Sequence, residues 1–303
     1  MSISAQEVKK LREMSGAGMM DCKKALQETN GNLEEALLYL QKKGSAAAAK
    51  KASRTAAEGL VQIWTNDDAT EAVMVEVNCE TDFVARNDQF MAFVQRIAKT
   101  IGESGVETIE ALEDATIADG DKSVAEYITE QIATIGENIK VRRFVRYTVE
   151  NGVIGPYIHA GDQLGVMVML ETPAGADTDK AGEVARDVAM HIAAMKPGYL
   201  RDEDIPAEAE AAHKEILAAR AAETGKPAEI IERMLTGQIK KWRAESVLLS
   251  QAFVKDSDKT VGEFVKTVDG ASVASFVRFE VGEGITKEEK SLSEEVAEQL
   301  RGS

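Results

Sequence analysis

The chain has 303 residues, about twice the usual domain size, so two or three units are expected, each large enough to bury a core. Hydrophobic residues at 44% and charged residues at 29% exclude a collagen-like or wholly disordered chain, and no apolar run reaches the roughly 18 residues of a transmembrane helix. The net charge of −16, from 36 basic against 52 acidic residues, is a poor match to a phosphate backbone.

The first predicted helix starts at Ser4, which with Glu7 has capping-box spacing, and carries Val8 and Leu11 on one face. It stops at Ser15-Gly16-Ala17-Gly18. A second helix fits Met19 to Thr29. Asn30-Gly31 ends it, and Asn32 with Glu35 caps a third, in which Leu33, Ala36, Leu37 and Leu40 recur at helical spacing until Gly44. Residues 1–44 thus read as a three-helix unit near the lower size limit for independent stability. Residues 45–57 are alanine-rich and basic. They favour helix but offer little to bury, which makes them a helical or partly helical connector rather than core.

The period then changes to two. Leu60–Trp64 and Ala72–Val77 flank Asn66-Asp67-Asp68 as a hairpin, a loop runs from Asn78 to Arg86, and an amphipathic helix carries Phe90, Phe93, Val94 and Ile97. Ser123 and Glu126 open another helix, and Ile139–Val149 reads as a long strand. A second cycle follows: strands at Val153–Ile158 and Leu164–Leu170, then a helix through Ala181, Val184, Val188 and Ile192. Hairpin-then-helix twice points to two related α+β subdomains packed together, placed at 58–139 and 140–285. An antiparallel helical hairpin is expected at about 207–244, turning at Gly225-Lys226-Pro227. Its first arm has few large apolar side chains, so it projects or packs along a narrow seam. Strand returns at Val273–Val281, and a short helix at Ser293–Leu300 lies within a small C-terminal module, 286–303.

Charge is unevenly placed: 10 Lys or Arg against 6 Asp or Glu through Ala56, and 26 against 46 beyond it. A small basic module is joined to a large acidic body. The N-terminus lacks the basic and apolar regions of a signal peptide. Cys22 and Cys79 give no disulfide framework, and reduced thiols in a cytoplasmic setting are expected. His159, His191 and His213 lie in separate elements, and neither metal-ligand spacing nor a phosphate-loop or nucleophile-elbow pattern is present. The expectation is a protein with no catalytic residues, metal or cofactor of its own.

Two stretches suit binding better. In Met19-Met20-Asp21-Cys22-Lys23-Lys24 a small bundle cannot bury every apolar residue on one face, so at least one methionine reaches solvent as an adaptable contact; the alternative is a satellite core residue. In Glu80-Thr81-Asp82-Phe83-Val84-Ala85-Arg86, either Thr81 or Asp82 caps the coming helix with Phe83 as a staple, or Phe83 is an aromatic held out on a loop as an interface anchor.

These two stretches carry a family resemblance. Leu11–Leu26 and Glu76–Arg86 resemble the two signatures of bacterial translation elongation factor Ts, and shorter matches follow in order: Ile135–Ile139 with Arg142-Arg143, Tyr157–Gly161, Met190–Ala193 before Lys196-Pro197, Gly225-Lys226-Pro227, and Arg278–Gly284. The departures are mild: Ser15 and Glu80 stand where threonine and glutamine are common. The resemblance implies a guanine-nucleotide exchange factor for the GTPase elongation factor Tu, bound in its GDP and nucleotide-free states. It implies a UBA-like N-terminal bundle, like a ubiquitin-associated domain, before the two core halves. Met19 and Met20 would hold the GTPase domain, with Arg12 and Lys23 beside them. Asp82 and Phe83, flanked by Thr81 and Val84, would press near the nucleotide's magnesium site. His159 lies in a motif associated with the half that meets the partner's third domain. The role of the hairpin and any self-association stay open. Direct nucleic-acid binding is not expected, since basic residues without interleaved aromatics sit beside an acidic body. A scaffold that merely recognises ubiquitin-like folds would use residues 1–44 and leave the rest idle.

Overall fold

In the computed structural model, which describes residues 3–223 and 227–286, local capping decides where the first helices begin. Helix α1 (Ala5–Ser15) starts at Ser4, whose hydroxyl accepts from the Glu7 amide while Glu7 Oε2 accepts from the Ser4 amide at 2.8 Å. It ends at Gly16, in the left-handed region. Helix α2 (Met19–Glu28) follows, and α3 (Leu33–Lys51) begins where the Asn32 side chain accepts from the Glu34 and Glu35 amides. Val8, Leu11, Cys22, Ala25, Leu26 and Ala36 form the buried core of this unit.

Helix α3 does not stop at Gly44. It continues to Lys51, so 45–51 is the far end of the third helix rather than a separate connector. The cause is a docking contact. Gly44 lies so close to Ala133 that an added Cβ would come within 3.3 Å of its Cβ. Ala48 packs against the first-half core, and Lys51 Nζ donates to the Ile132 carbonyl at 3.3 Å. Small side chains with nothing to bury in isolation here permit close approach of two helices.

Strands β1 (Glu58–Thr65) and β2 (Glu71–Cys79) form the expected hairpin. A single helical turn α4 (Asp82–Ala85) interrupts the segment read as loop, before α5 (Asp88–Ser104), the unanticipated α6 (Ile109–Asp114) and α7 (Val124–Ile135), the last opened by the Ser123–Glu126 capping box. Strand β3 (Lys140–Thr148) pairs with β2, giving a three-stranded antiparallel sheet in the order β1-β2-β3. A division between 139 and 140 therefore cuts this sheet: β3 belongs to the first half, because its partner is β2. An unpaired strand has no side in a sequence, and this one was read with the half that follows it.

The second half repeats the plan. Strands β4 (Gly152–Ile158) and β5 (Leu164–Glu171) are followed by α8 (Thr178–Met195). The helical hairpin comes next, α9 (Ala207–Ala222) and α10 (Ala228–Ser246). A small unit of β6 (Ala252–Phe253), β7 (Asp256–Thr260) and α11 (Val261–Val265) went unforeseen. Strand β8 (Ser272–Glu280) then joins β5, closing a second antiparallel sheet in the order β4-β5-β8. Gly225 and Lys226 of the expected hairpin turn, and the module from 287 onward with its expected helix, lie outside the described residues.

Strand β2 is buried on both faces. Val73, Val75 and Val77 join Phe90, Phe93, Val94 and Ile97 of α5 in one core, while Ala72 and Met74 face the other sheet. There Val61, Met74, Ile154, Met167 and Phe279 interdigitate between the two sheets. Gly165 makes that approach possible, since a Cβ there would lie 2.5 Å from Val61 Cγ1. A third core joins α8 to β5, α11 and Val273. The molecule is thus an α+β fold with N-terminal helices, two facing sheets and inserted helices.

Candidate partner-binding surface

The turn α4 is where the second signature acquires a shape. Ala85 is buried and Val84 half-buried against the first-half core, and on this single helical turn the position before them faces away from it. Phe83 is accordingly 82% exposed. Thr81 does cap the turn, its hydroxyl accepting from the Val84 amide at 3.3 Å, but Phe83 is not a staple. Thr81 thus carries the cap, and Phe83 is left exposed beside it. Asp82, half-buried, pairs with Arg86 at 3.0 Å along the turn.

The loop before α4 is tied down from beneath. Glu137 Oε2 accepts from the Glu80 and Thr81 amides, each at 3.0 Å, and its Oε1 accepts from the Thr81 hydroxyl at 2.7 Å. The Cys79 thiol donates to the Thr81 carbonyl at 3.2 Å, and burial pushes its pKa up to about 12. Glu137 was not singled out from the sequence as a site residue, although it stands inside the matching stretch Ile135–Ile139.

In the first signature, Met19 and Met20 are 56% and 74% exposed at the start of α2, so both methionines reach solvent. Cys22, Ala25 and Leu26 take the buried face instead. Cys22 is buried under the preceding turn, its thiol 3.6 Å from the Ala17 carbonyl. Arg12, in the last turn of α1, and Lys23, on α2, are exposed. His159 lies elsewhere, exposed beyond the end of β4, with Nδ1 at 2.9 Å from the Tyr157 hydroxyl. The structure therefore groups Thr81, Asp82, Phe83 and Val84 on one turn and Met19, Met20 and Lys23 at the start of α2, with Arg12 in the last turn of α1. No hydrogen bond or ion pair links these groups to each other or to His159 among the described residues.

The other two histidines are structural. His191 is buried, with Nε2 at 2.8 Å from Gln251 Oε1 and Nδ1 accepting from the Val254 amide at 3.1 Å. His213 stacks on Trp242 with centroids 4.6 Å apart. Beneath the facing sheets lies a feature the sequence reading missed altogether. Glu76, fully buried, accepts from Arg142 Nη1 at 2.9 Å, Arg143 Nε at 2.6 Å and the Gly282 amide at 2.9 Å. Arg143 also lies over the Phe279 ring at 4.2 Å. Arg142, Arg143 and Gly282, each within a matching stretch, thus meet at one buried carboxylate. Among the described residues, no three His, Cys, Asp or Glu side chains are grouped to hold a metal ion, and no helix is long and apolar enough to cross a membrane.

Three large apolar side chains, Met19, Met20 and Phe83, stand exposed on α2 and α4, a candidate surface for another protein. Comparison with known proteins narrows the class. A family model described as "Elongation factor TS" matches residues 80–283. The chain is 49% identical over 300 residues to "Elongation factor Ts" of Clostridium perfringens (strain SM101 / Type A), covering 97% of this chain and 98% of the relative. It is likewise 49% identical over 303 residues to "Elongation factor Ts" of Alkalilimnicola ehrlichii (strain ATCC BAA-1101 / DSM 17681 / MLHE-1), over the whole of both chains. A third relative, "Elongation factor Ts" of Thioalkalivibrio sulfidiphilus (strain HL-EbGR7), is 49% identical over 304 residues, again with full coverage of both. The chain belongs to the elongation factor Ts family.

Proposed function

We propose that the chain is a guanine-nucleotide exchange factor for elongation factor Tu, acting in translation elongation by accelerating GDP release so that GTP can load. The observation that carries this reading is Phe83, an aromatic 82% exposed on a turn whose backbone is fixed by Thr81 and Glu137. A ring left in water at the tip of a braced element is built to be covered by another protein. The N-terminal helices, which we read as a UBA-like unit, supply a second apolar contact through Met19 and Met20, with Arg12 and Lys23 as charged neighbours. His159, on the second half, meets the partner at a third place.

The mechanism follows from linkage. A GTPase that holds GDP and magnesium tightly releases them faster when another ligand stabilises its nucleotide-free or distorted state, and the coupling is reciprocal. A thousandfold acceleration corresponds to about 4 kcal/mol of barrier. Covering one phenylalanine contributes roughly 1.5–3 kcal/mol, and a few charge-assisted hydrogen bonds from groups such as Asp82 supply the remainder. The factor needs no covalent step of its own. In this reading it binds the GTPase both with GDP and empty, and the cellular excess of GTP sets the direction.

Release of a fluorescent GDP analogue from purified elongation factor Tu, followed by stopped flow with and without this protein, tests the reading. The expected result is a large acceleration that Phe83→Ala reduces at least tenfold. Equal release rates with and without the protein would overturn it.

A further inference from the structure

The backbone beneath Phe83 belongs to a polar knot that joins three segments far apart in sequence, 52–54, 80–81 and 137–138. The Thr81 hydroxyl gives its proton to Glu137 Oε1 at 2.7 Å, which leaves its lone pairs facing the Val84 amide that it caps at 3.3 Å. Glu137 therefore orients the cap as well as holding the Glu80 and Thr81 amides. Glu80 reciprocates, its Oε1 accepting from the Asn138 amide at 2.6 Å and pairing with Arg54 Nη1 at 3.5 Å. The buried Asn138 side chain donates in turn to the Arg54 carbonyl at 2.8 Å. Glu137 and Asn138 stand directly after the Gly136 cap of α7, and α7 is the helix on which α3 docks through Gly44 and Lys51.

We propose that Glu137 and Asn138 are positioning residues for nucleotide exchange. Glu137 fixes the direction in which Phe83 is presented. Asn138 ties that loop to the chain leaving α3, so that the methionine turn and the phenylalanine turn approach the partner in one fixed relation. The proposal rests on the exchange reading above. It goes beyond that reading by assigning the geometry of the contact to residues that do not themselves touch the partner. The physical reason is preorganisation: a ring that must be ordered on binding loses part of its contact energy to that ordering.

The test uses the full-length protein and GDP release from elongation factor Tu, read as the maximal rate at saturating factor and the concentration giving half of it. Glu137→Ala is expected to melt cooperatively and to lower the maximal rate at least tenfold, and in a Phe83→Ala background to cost less than twofold more. Glu137→Gln keeps one acceptor oxygen and should recover part of the loss. Asn138→Ala removes the side-chain bonds to the Ala52 and Arg54 carbonyls, and should raise the half-maximal concentration several-fold while changing the maximal rate less than Glu137→Ala does. Amide hydrogen exchange of the free protein is the independent readout: Glu80 and Thr81 should exchange at least tenfold faster in Glu137→Ala. A wild-type maximal rate, or the same fold-loss with and without Phe83, would overturn the positioning role. If Glu137→Ala does not fold, the same readouts on Glu137→Gln decide. If the wild-type protein fails to accelerate release, the exchange reading falls with it, and unchanged protection of Glu80 and Thr81 would separately show that Glu137 does not hold the loop.

Discussion

Replacing Glu76 with alanine removes a fully buried carboxylate from four hydrogen bonds, donated by Arg142, Arg143, Asn78 and the Gly282 amide. Breaking a buried ion pair by deleting one partner costs about 3–5 kcal/mol, because the remaining charge is left desolvated. Here Arg142 and Arg143 keep 24% and 32% of their side-chain exposure, so the lower end, about 3 kcal/mol, is expected. At about 2–4 °C per kcal/mol for a chain of this size, the melting temperature should fall by roughly 6–12 °C. Glu76→Gln keeps the shape and one acceptor, and should lose about half as much. The acid limb adds a second check. Burial by itself raises the pKa of Glu76, but the Gly282 amide, the two guanidiniums and Asn78 together outweigh it and hold the carboxyl below the usual range. The ionised form's contribution is therefore full above the unfolded value of about 4.3 and is lost as pH falls through the depressed folded value. The gap between wild type and Glu76→Gln should narrow over that range. Circular-dichroism melts across a pH series measure both effects. A Glu76→Ala melting temperature within about 2 °C of wild type at pH 7 would refute the reasoning, showing that desolvation cancels the bonds.

Changing Met19 and Met20 together to alanine should weaken binding to elongation factor Tu at least tenfold by calorimetric titration while leaving the melt unchanged, since both side chains are exposed; a lowered melting temperature would make them core instead. Burial lowers the pKa of His191, against the opposing bond from Gln251. Its contribution is full above about pH 6.5 and is lost as pH falls through the lowered folded value, so His191→Gln should flatten the loss of stability between pH 7 and 5. Cys22 and Cys79 are fully buried, and alkylation at pH 8 should proceed only at the rate of unfolding; rapid labelling of the native protein would contradict the packing. Replacing the hairpin between about Ala207 and Ala244 with a short flexible linker should leave a cooperative melt. Among the described residues of the two arms only Ala221 and Ile239 are buried, and closing the gap costs modest entropy; a broad transition would show that the arms are core.

What the sequence made legible was local. The capping boxes at Ser4 and Ser123 need only neighbours three residues away, and both strand hairpins need only alternation and a turn. The exposure of Phe83 was readable as one of two alternatives because its flanking residues set the turn. The unread features depend on distant partners. Glu76 looks like an outward polar position on a strand, yet the facing sheet and the turn at Gly282 bury it. Glu137 has no neighbour that explains it, since its partners are Glu80 and Thr81. The pairing of β3 with β2 crosses more than sixty residues, so the subdomain boundary was set too early. Helices α6 and α11 are too short for periodicity to register.

The two halves share a scaffold more closely than their residues suggest. Gly59 and Gly152 open the first strand of each, with φ of 142° and 147°. A Cβ at either would lie 2.1 Å from the Val77 carbonyl or 2.0 Å from that of Leu170, so no other residue fits without moving the neighbouring strand. Val61 corresponds to Ile154 and Met74 to Met167 in the core between the sheets. Each middle strand meets its third strand with a register shift near the same place, between Glu76 and Val77 in one and between Met169 and Leu170 in the other. Where the halves differ is in what joins these shared pieces. After β2 the first half inserts the braced turn that carries Phe83; after β5 the second passes from Thr172 to α8 without one, and places its helical hairpin before β8 instead. Two rigid sheets locked face to face leave the connections free to differ, because a change there costs neither core packing nor sheet pairing. The exposed aromatic is found on such a connection, whereas Glu76, only seven positions earlier, is held by the fold.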